Sequence, residues 1–246
     1  MNTVLITGCS SGFGLVTAQH FLERGWNVIA TMRTPQADLL PVSNRLRILA
    51  LDVADADSIR RAVDAAGPID VLVNNAGIGL LSVVEDTRME TVRNVFETNT
   101  FGTIALTQAV LAQFRERGAG VVVNVTSTTT LLPLPLLAVY TASKAAVNAF
   151  TESLALELAP FGVRARLVLP GAAPETRFGE NARTHMADGF PEPYAGFATD
   201  VFSRMRQRTL VTHAQDVADA VWLAATDPAA PMRIPAGADA VALAAG

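Results

Sequence analysis

Tyr140 and Lys144 stand four residues apart in the stretch Tyr-Thr-Ala-Ser-Lys, thirteen residues after Ser127. Four residues is one helical turn, so a helix over this stretch places the phenol and the ammonium on one face. A phenol titrates near ~10, too high for a base at neutral pH. A fixed ammonium about 4 Å away favours the phenolate by roughly 4 kcal/mol at an effective dielectric of ~20, or about three pKa units. The pair is therefore predicted to act as an acid/base. Tyr-x-x-x-Lys alone equally describes a surface helix bearing an aromatic ring and a solvated charge. The assignment therefore depends on what surrounds it.

Upstream, Thr7-Gly8-Cys9-Ser10-Ser11-Gly12-Phe13-Gly14 follows an apolar run and leads into a helical pattern. Glycines let the backbone turn tightly and approach a pyrophosphate, and the N–H groups and dipole of a helix start favour its charge. The spacing is Gly-x-x-x-Gly-x-Gly, different from the Gly-x-Gly-x-x-Gly of the best-known dinucleotide folds. Asp52 follows the third predicted strand, and Asn74-Asn75-Ala76-Gly77 closes the fourth. Ligands of open α/β sheets bind at such carboxyl ends. A turn rich in residues that tolerate the left-handed region is the plainer reading of Asn-Asn-Ala-Gly, and it weakens beside the glycine loop.

Short β-branched runs at Thr3-Thr7, Asn27-Thr31, Leu46-Ala50, Ile69-Val73, Val121-Val125 and Val163-Leu169 are apolar on successive residues, as parallel strands buried on both faces require. Helices are predicted at about Gly12-Arg24, Asp55-Ala65, Met89-Glu116 and Val139-Ala159. This alternation predicts an α/β fold, a Rossmann-like doubly wound parallel sheet with helices on both faces. Beyond Pro170 the chain turns rich in Pro, Gly and scattered aromatics up to Arg208, which reads as a substrate lid over about 171–208. Thr212 with Gln215 is predicted to box the start of a helix running to Asp227, followed by a strand near Met232-Pro235. At 246 residues, half of them hydrophobic, with no linker, the chain is expected to form a single dinucleotide-binding and catalytic domain over 1–246.

The set Thr7-Gly8-x-x-x-Gly12-x-Gly14, Asp52, Asn74-Asn75-Ala76-Gly77, Asn99, Ser127, Tyr140-x-x-x-Lys144 and Pro170-Gly171 resembles the short-chain dehydrogenase/reductase family, in its single-domain branch of about 250 residues. The resemblance runs through residue 171. It implies that Tyr140 is the general acid/base and that Ser127 hydrogen-bonds the reacting oxygen. It implies that Lys144 lowers the Tyr140 pKa and holds the nicotinamide ribose, and that Asn99 anchors a water linking Lys144 to solvent. The cofactor-binding set it implies is Gly8, Ser10, Ser11, Gly12, Phe13, Gly14, Arg33, Asp52, Val53, Asn75, Ala76, Gly77, Tyr140, Lys144, Pro170 and Gly171. Two positions depart from the family pattern. Thr130 stands where a Gly is common, and the Thr expected soon after Pro-Gly is displaced, with Thr176 the nearest candidate.

Strand two ends Ala30-Thr31-Met32-Arg33 with no acid before Asp38. An NAD site wants a carboxylate there, whereas a 2′-phosphate wants a guanidinium, so Arg33, aided by Ser11, predicts NADP(H) over NAD(H). A solvated surface Arg is the plainer alternative. The Leu131-Leu132-Pro133-Leu134-Pro135-Leu136-Leu137 run predicts an apolar wall and a hydrophobic alcohol or ketone; packing against the core or a second subunit explains the run as well. Arg177, Arg183 and Arg204 are candidates for an acidic group, and equally ordinary lid charges. The competing function is a non-catalytic NADP-binding regulator on the same fold, which has no need of Ser127, Tyr140, Lys144 and Asn99 together.

The net charge of −4 without a basic stripe argues against nucleic acid. No stretch is long and apolar enough for a membrane span, and a cytoplasmic location is expected. Cys9 is the only cysteine, and His20, His185 and His213 are dispersed, so neither a disulfide nor a metal site is expected. The run Phe101, Ile104, Leu106, Val110, Leu111 and Phe114 is apolar beyond one helical stripe, which predicts burial on two sides, either within this chain or against a copy of it; a homodimer or homotetramer is expected.

Overall fold

The computed structural model describes residues 2–176, 190–207 and 209–245. Seven strands form one parallel sheet: β1 (Thr3–Ile6), β2 (Asn27–Met32), β3 (Leu46–Ala50), β4 (Val71–Asn74), β5 (Gly120–Val125), β6 (Val163–Pro170) and β7 (Arg233–Ala236). Their order is β3-β2-β1-β4-β5-β6-β7, with register Val4↔Val28 on one side of β1 and Val4↔Val71 on the other. The chain leaves β1 toward one edge and returns to build toward the other. This reversal opens a crevice between the carboxyl ends of β1 and β4.

The continuous apolar runs are explained by the alternation of side chains across the sheet. Val4, Ile6, Val71, Val73, Val121 and Val123 enter one core, against α1 (Gly12–Glu23) and α7 (Ala214–Thr226). Leu5, Leu72 and Val122 enter the opposite core, with residues of α2 (Ala56–Ala66), α4 (Gly102–Arg117) and α5 (Ala138–Leu158). Both faces are dry, so polar alternation is absent from the central strands. The doubly wound architecture read from the sequence is the one observed.

The expected helix over Met89-Glu116 is divided. α3 (Met89–Phe96) passes through a π turn at Glu97–Phe101 before α4 begins. Of its apolar residues, Leu106, Val110 and Phe114 are fully buried on the sheet and Leu111 packs against the same core. Asp55 caps α2 by accepting from the Asp57 N–H at 2.9 Å. The capping box of α7 is built by His213 and Asp216, one residue on from the expected pair, because the Thr212 hydroxyl is engaged elsewhere. Fourth-strand pairing starts at Val71; Ile69 is buried below it, its N–H given to the Gln113 side chain.

Within the predicted lid, residues 177–189 and 208 lie outside the described residues, which include neither Arg177, Phe178 nor Arg183. The remainder contains a helix that weak periodicity hid, α6 (Glu192–Arg206), following Pro191. Its Ala198, Val201, Phe202 and Met205 form a third apolar cluster with Leu81, Leu136, Leu137 and Tyr140. The tail beyond β7 is a short helix, α8 (Ala238–Ala244).

Candidate active site

Ser127 follows β5 directly. Its backbone is extended, and its Oγ accepts from the Thr129 N–H at 3.2 Å as a short 3-10 turn begins. Tyr140 and Lys144 occupy successive turns at the start of α5 and are 6% and 5% exposed. Burial pushes the Tyr140 phenol up to about 12, with a hydrogen bond to Ser127 pulling the other way. Burial also pushes the Lys144 ammonium down to about 8. The sequence-based expectation of a phenol depressed by its neighbouring ammonium is therefore not met in the protein alone. Both groups sit in a dry pocket that favours their neutral forms. Lys144 Nζ donates to the Val125 carbonyl at 3.0 Å, which fixes the ammonium under Ser127's own strand end.

Asn99 is completely buried in the π turn. The extra residue of that turn re-aims its side chain, a common use of π bulges. Its Oδ1 accepts from the Ile78 N–H at 2.8 Å, and its Nδ2 donates to the Ile78 carbonyl and to Ser143 Oγ, each at 3.0 Å. Ser143 in turn donates to the Tyr140 carbonyl at 2.7 Å, so Asn99 ties the segment after β4 to the first turn of α5. Thr130, the departure from the family pattern, donates to the Ser127 carbonyl at 2.8 Å and accepts from Asn148 Nδ2 at 2.8 Å. A glycine there would lack both bonds.

The glycine loop meets its neighbours at a spacing only glycine permits. A Cβ on Gly14 would lie 2.3 Å from the Gly8 carbonyl oxygen, and Gly8 itself has φ +73°. Thr7 Oγ1 accepts from the N–H groups of Asn75 and Ala76, both at 2.9 Å, while Asn75 Nδ2 donates to the Thr7 carbonyl at 2.8 Å. The two strand-end loops are thereby locked together. Ser11 is the N-cap of α1 and makes no side-chain cap bond, leaving first-turn N–H groups of that helix for an anion.

A cavity of about 520 Å³ opens at these strand ends. Phe13, Asn75, Gly77, Ser127, Tyr140, Lys144, Pro170 and Gly171 line it, together with Thr176. Gly8, Ser10, Ser11, Gly12, Gly14, Ala76 and Asn99 lie outside its wall, in the loops and turns that shape it. Arg33, Asp52 and Val53 stand apart at the ends of β2 and β3, with Arg33 exposed and free of ion pairs among the described residues. Asp52 Oδ1 accepts from the Ala54 N–H at 3.0 Å. Arg204 does not line the cavity; Arg206, not singled out in the sequence, does.

The Pro170-Gly171 wall is held by Thr212, read from the sequence only as a helix cap, and by Asp239, which sequence reasoning missed. Gly171 donates its N–H to Thr212 Oγ1 at 2.9 Å, and Ala172 donates to Asp239 Oδ2 at 2.6 Å. Asp239 Oδ1 also takes the Ala240 N–H at 2.9 Å and lies 2.7 Å from the Thr212 hydroxyl. Asp239 is buried and any Cβ on Gly171 would fall 2.1 Å from its carboxylate. Its only sequence signal is an Asp after Gly237 in the first turn of a short helix. Leu136, whose φ of +66° is strained for a leucine, gives its carbonyl to the Ser82 N–H at 2.9 Å and so joins two stretches of the opposite wall.

The groups fit a dinucleotide: a close-approach glycine loop, an unsatisfied helix start and a cavity that borders them at Phe13 and is lined by buried polar side chains. Among the described residues no cluster of His, Cys, Asp or Glu is placed to hold a metal ion, and no helix is long and apolar enough to cross a membrane.

Comparison with known proteins adds independent findings. A protein-family model described as short chain dehydrogenase matches residues 2–187. The uncharacterized oxidoreductase YusZ of Bacillus subtilis is 44% identical over 179 residues, covering 68% of this chain and 64% of that protein. The 3-ketodihydrosphingosine reductase of Bacteroides thetaiotaomicron is 38% identical over 196 residues, covering 78% and 71%. The chain thus spans about two-thirds of these relatives' lengths. Among solved structures, a short chain dehydrogenase from Burkholderia cenocepacia in complex with NADP superposes with a TM-score of 0.79 at 29% identity, covering 100% of this chain and 92% of that one. The 3-ketoacyl-(acyl-carrier-protein) reductase from Brucella melitensis, complexed with NADH, gives 0.78 at 28% identity, covering 95% of each chain. With the matched family model spanning most of its length, the chain belongs to the short-chain dehydrogenase/reductase family of oxidoreductases.

Proposed function

We propose that the protein interconverts a hydrophobic alcohol and its ketone or aldehyde, using NADP(H), with Tyr140 as the general acid/base. One observation carries this reading: the Tyr140 phenol is hydrogen-bonded to Ser127 inside a cavity whose wall includes Leu81, Leu134, Leu137, Phe202, Met205 and Val211. A carbonyl oxygen seated between these two hydroxyls receives a hydrogen bond from Ser127 and a proton from Tyr140. Bound nicotinamide would supply or accept the hydride at the adjacent carbon. With its phenol pushed up to about 12, Tyr140 is protonated at neutral pH, so the resting site is set as a proton donor. Lys144, charged below about pH 8, stabilises the phenolate left after that transfer. The apolar wall excludes water from the same space.

Replacing Tyr140 with Phe should lower kcat at least a hundredfold in an NADPH-oxidation assay on a panel of ketones, while NADPH binding by fluorescence stays within about threefold. Unchanged turnover would refute the mechanism.

The preference for NADP(H) rests on Arg33, exposed at the end of β2 with no acid following it in sequence before Asp38. Both cofactors occur among the structural neighbours, so kcat/KM with NADPH and NADH decides the matter. Self-association as a homodimer or homotetramer is part of the same proposal, supported by Phe101, which is 54% exposed at the start of α4.

A further inference from the structure

We propose that the substrate of this cavity bears an anionic group, a carboxylate separated from its reacting carbonyl by an apolar spacer, and that Arg206 binds that group. The proposal rests on the oxidoreductase reading of the site. Among the described residues that line the cavity, only Lys144 and Arg206 carry charge, and none is Asp or Glu. Lys144 is buried beside the reacting end, hydrogen-bonded to the Val125 carbonyl. Arg206 is exposed on the last turn of α6.

The helix places the guanidinium on the substrate side. Phe202, Met205 and Arg206 stand at i, i+3 and i+4, so they share one helical face. Phe202 and Met205 pack against the cluster that contains Leu81, Leu137 and Tyr140. Arg206 continues this face beyond its apolar part, at the rim of the cavity. A ligand running from Tyr140 along that face meets apolar side chains first and a cation last.

Arg206 is also uncommitted among the described residues. Arg60, Arg61, Arg117 and Arg233 pair with carboxylates, and Arg164 and Arg166 donate to carbonyls, whereas Arg206 has neither kind of partner there. The end of a helix favours any cation, and Arg204 meets that need in the same turn without lining the cavity. A guanidinium at the edge of an apolar cavity is suited to a carboxylate, which it can hold by two parallel charge-assisted hydrogen bonds.

The test is calorimetric binding of decanoate and of decanol to the NADPH-loaded full chain, compared among the wild type, Arg206→Gln and Arg204→Gln. The expected result is decanoate binding at least tenfold tighter than decanol. Arg206→Gln should remove that difference while leaving decanol affinity and Tm unchanged, and Arg204→Gln should change neither affinity. Equal affinity for the two ligands, no decanoate binding, or an equal loss in Arg204→Gln overturns the proposal. So does a weakened NADPH affinity in Arg206→Gln with decanoate unaffected, which would assign the guanidinium to the cofactor's phosphates. Tyr140→Phe, which tests the oxidoreductase reading, should bind decanoate as the wild type does, so the two ideas fail separately.

Discussion

Tyr140 and Lys144 give stability a pH dependence whose sign follows from burial. Below about pH 8 Lys144 is charged in both folded and unfolded chains, and the folded state carries the full cost of burying the ammonium. Between that value and the free value of 10.5, the unfolded chain holds a proton that the folded one has released, so stability rises with pH. Tyr140 acts oppositely above 10.0, where the unfolded phenol ionises and the buried one, at about 12, does not. Urea denaturation of the cofactor-free protein should therefore show a gain of about 2–3 kcal/mol from this lysine between pH 8 and pH 10. In Lys144→Met that gain should be missing. If Arg33 holds the cofactor's 2′-phosphate as proposed, Arg33→Ala should raise the KM for NADPH by about tenfold or more and leave that for NADH unchanged.

At the scale of elements, the sequence was most legible where one physical requirement dictates residue type. Gly14 must lack a side chain because the Gly8 carbonyl fills the space, and its spacing is readable without coordinates. Gly14→Ala should abolish nucleotide binding by fluorescence titration, since the displaced atom is backbone. Legibility fell where partners are distant in the chain. The π turn that aims Asn99 adds one residue to a helical turn, a shift that no residue type in Glu97–Phe101 specifies, and α6 was hidden because its apolar face is short. Thr212 reads locally as a helix cap, yet its hydroxyl serves Gly171, 41 residues away. Asp239 had no local signal because its partners, Ala172 and Thr212, are 67 and 27 residues distant. Asp239→Ala would orphan the N–H groups of Ala172 and Ala240, so a loss of about 2–5 kcal/mol by denaturation is expected, together with a higher KM for the cofactor.

For the whole molecule, the sheet was legible because continuous apolar runs admit few arrangements other than strands covered on both faces. Quaternary structure was less so. The apolar excess of residues 101–114 is largely absorbed within the chain, where Leu106, Val110 and Phe114 are buried and Leu111 packs on the same core. Phe101 is the exposed remainder. Light scattering coupled to size exclusion should report a dimer or tetramer that Phe101→Asp shifts toward monomer; a monomeric wild type would leave the ring without a covering partner and refute self-association.

Thr212 and Asp239, which fasten the Gly171-Ala172 wall, are among the last contributors to the cavity to leave the ribosome. β1 through β6 and the glycine loop emerge before that wall can be tied, and before α7 arrives to cover one face of the sheet. Affinity for nucleotide is then expected only once residues 212 and 239 have emerged, and chains halted before residue 212 should elute from an immobilised-nucleotide column unretained.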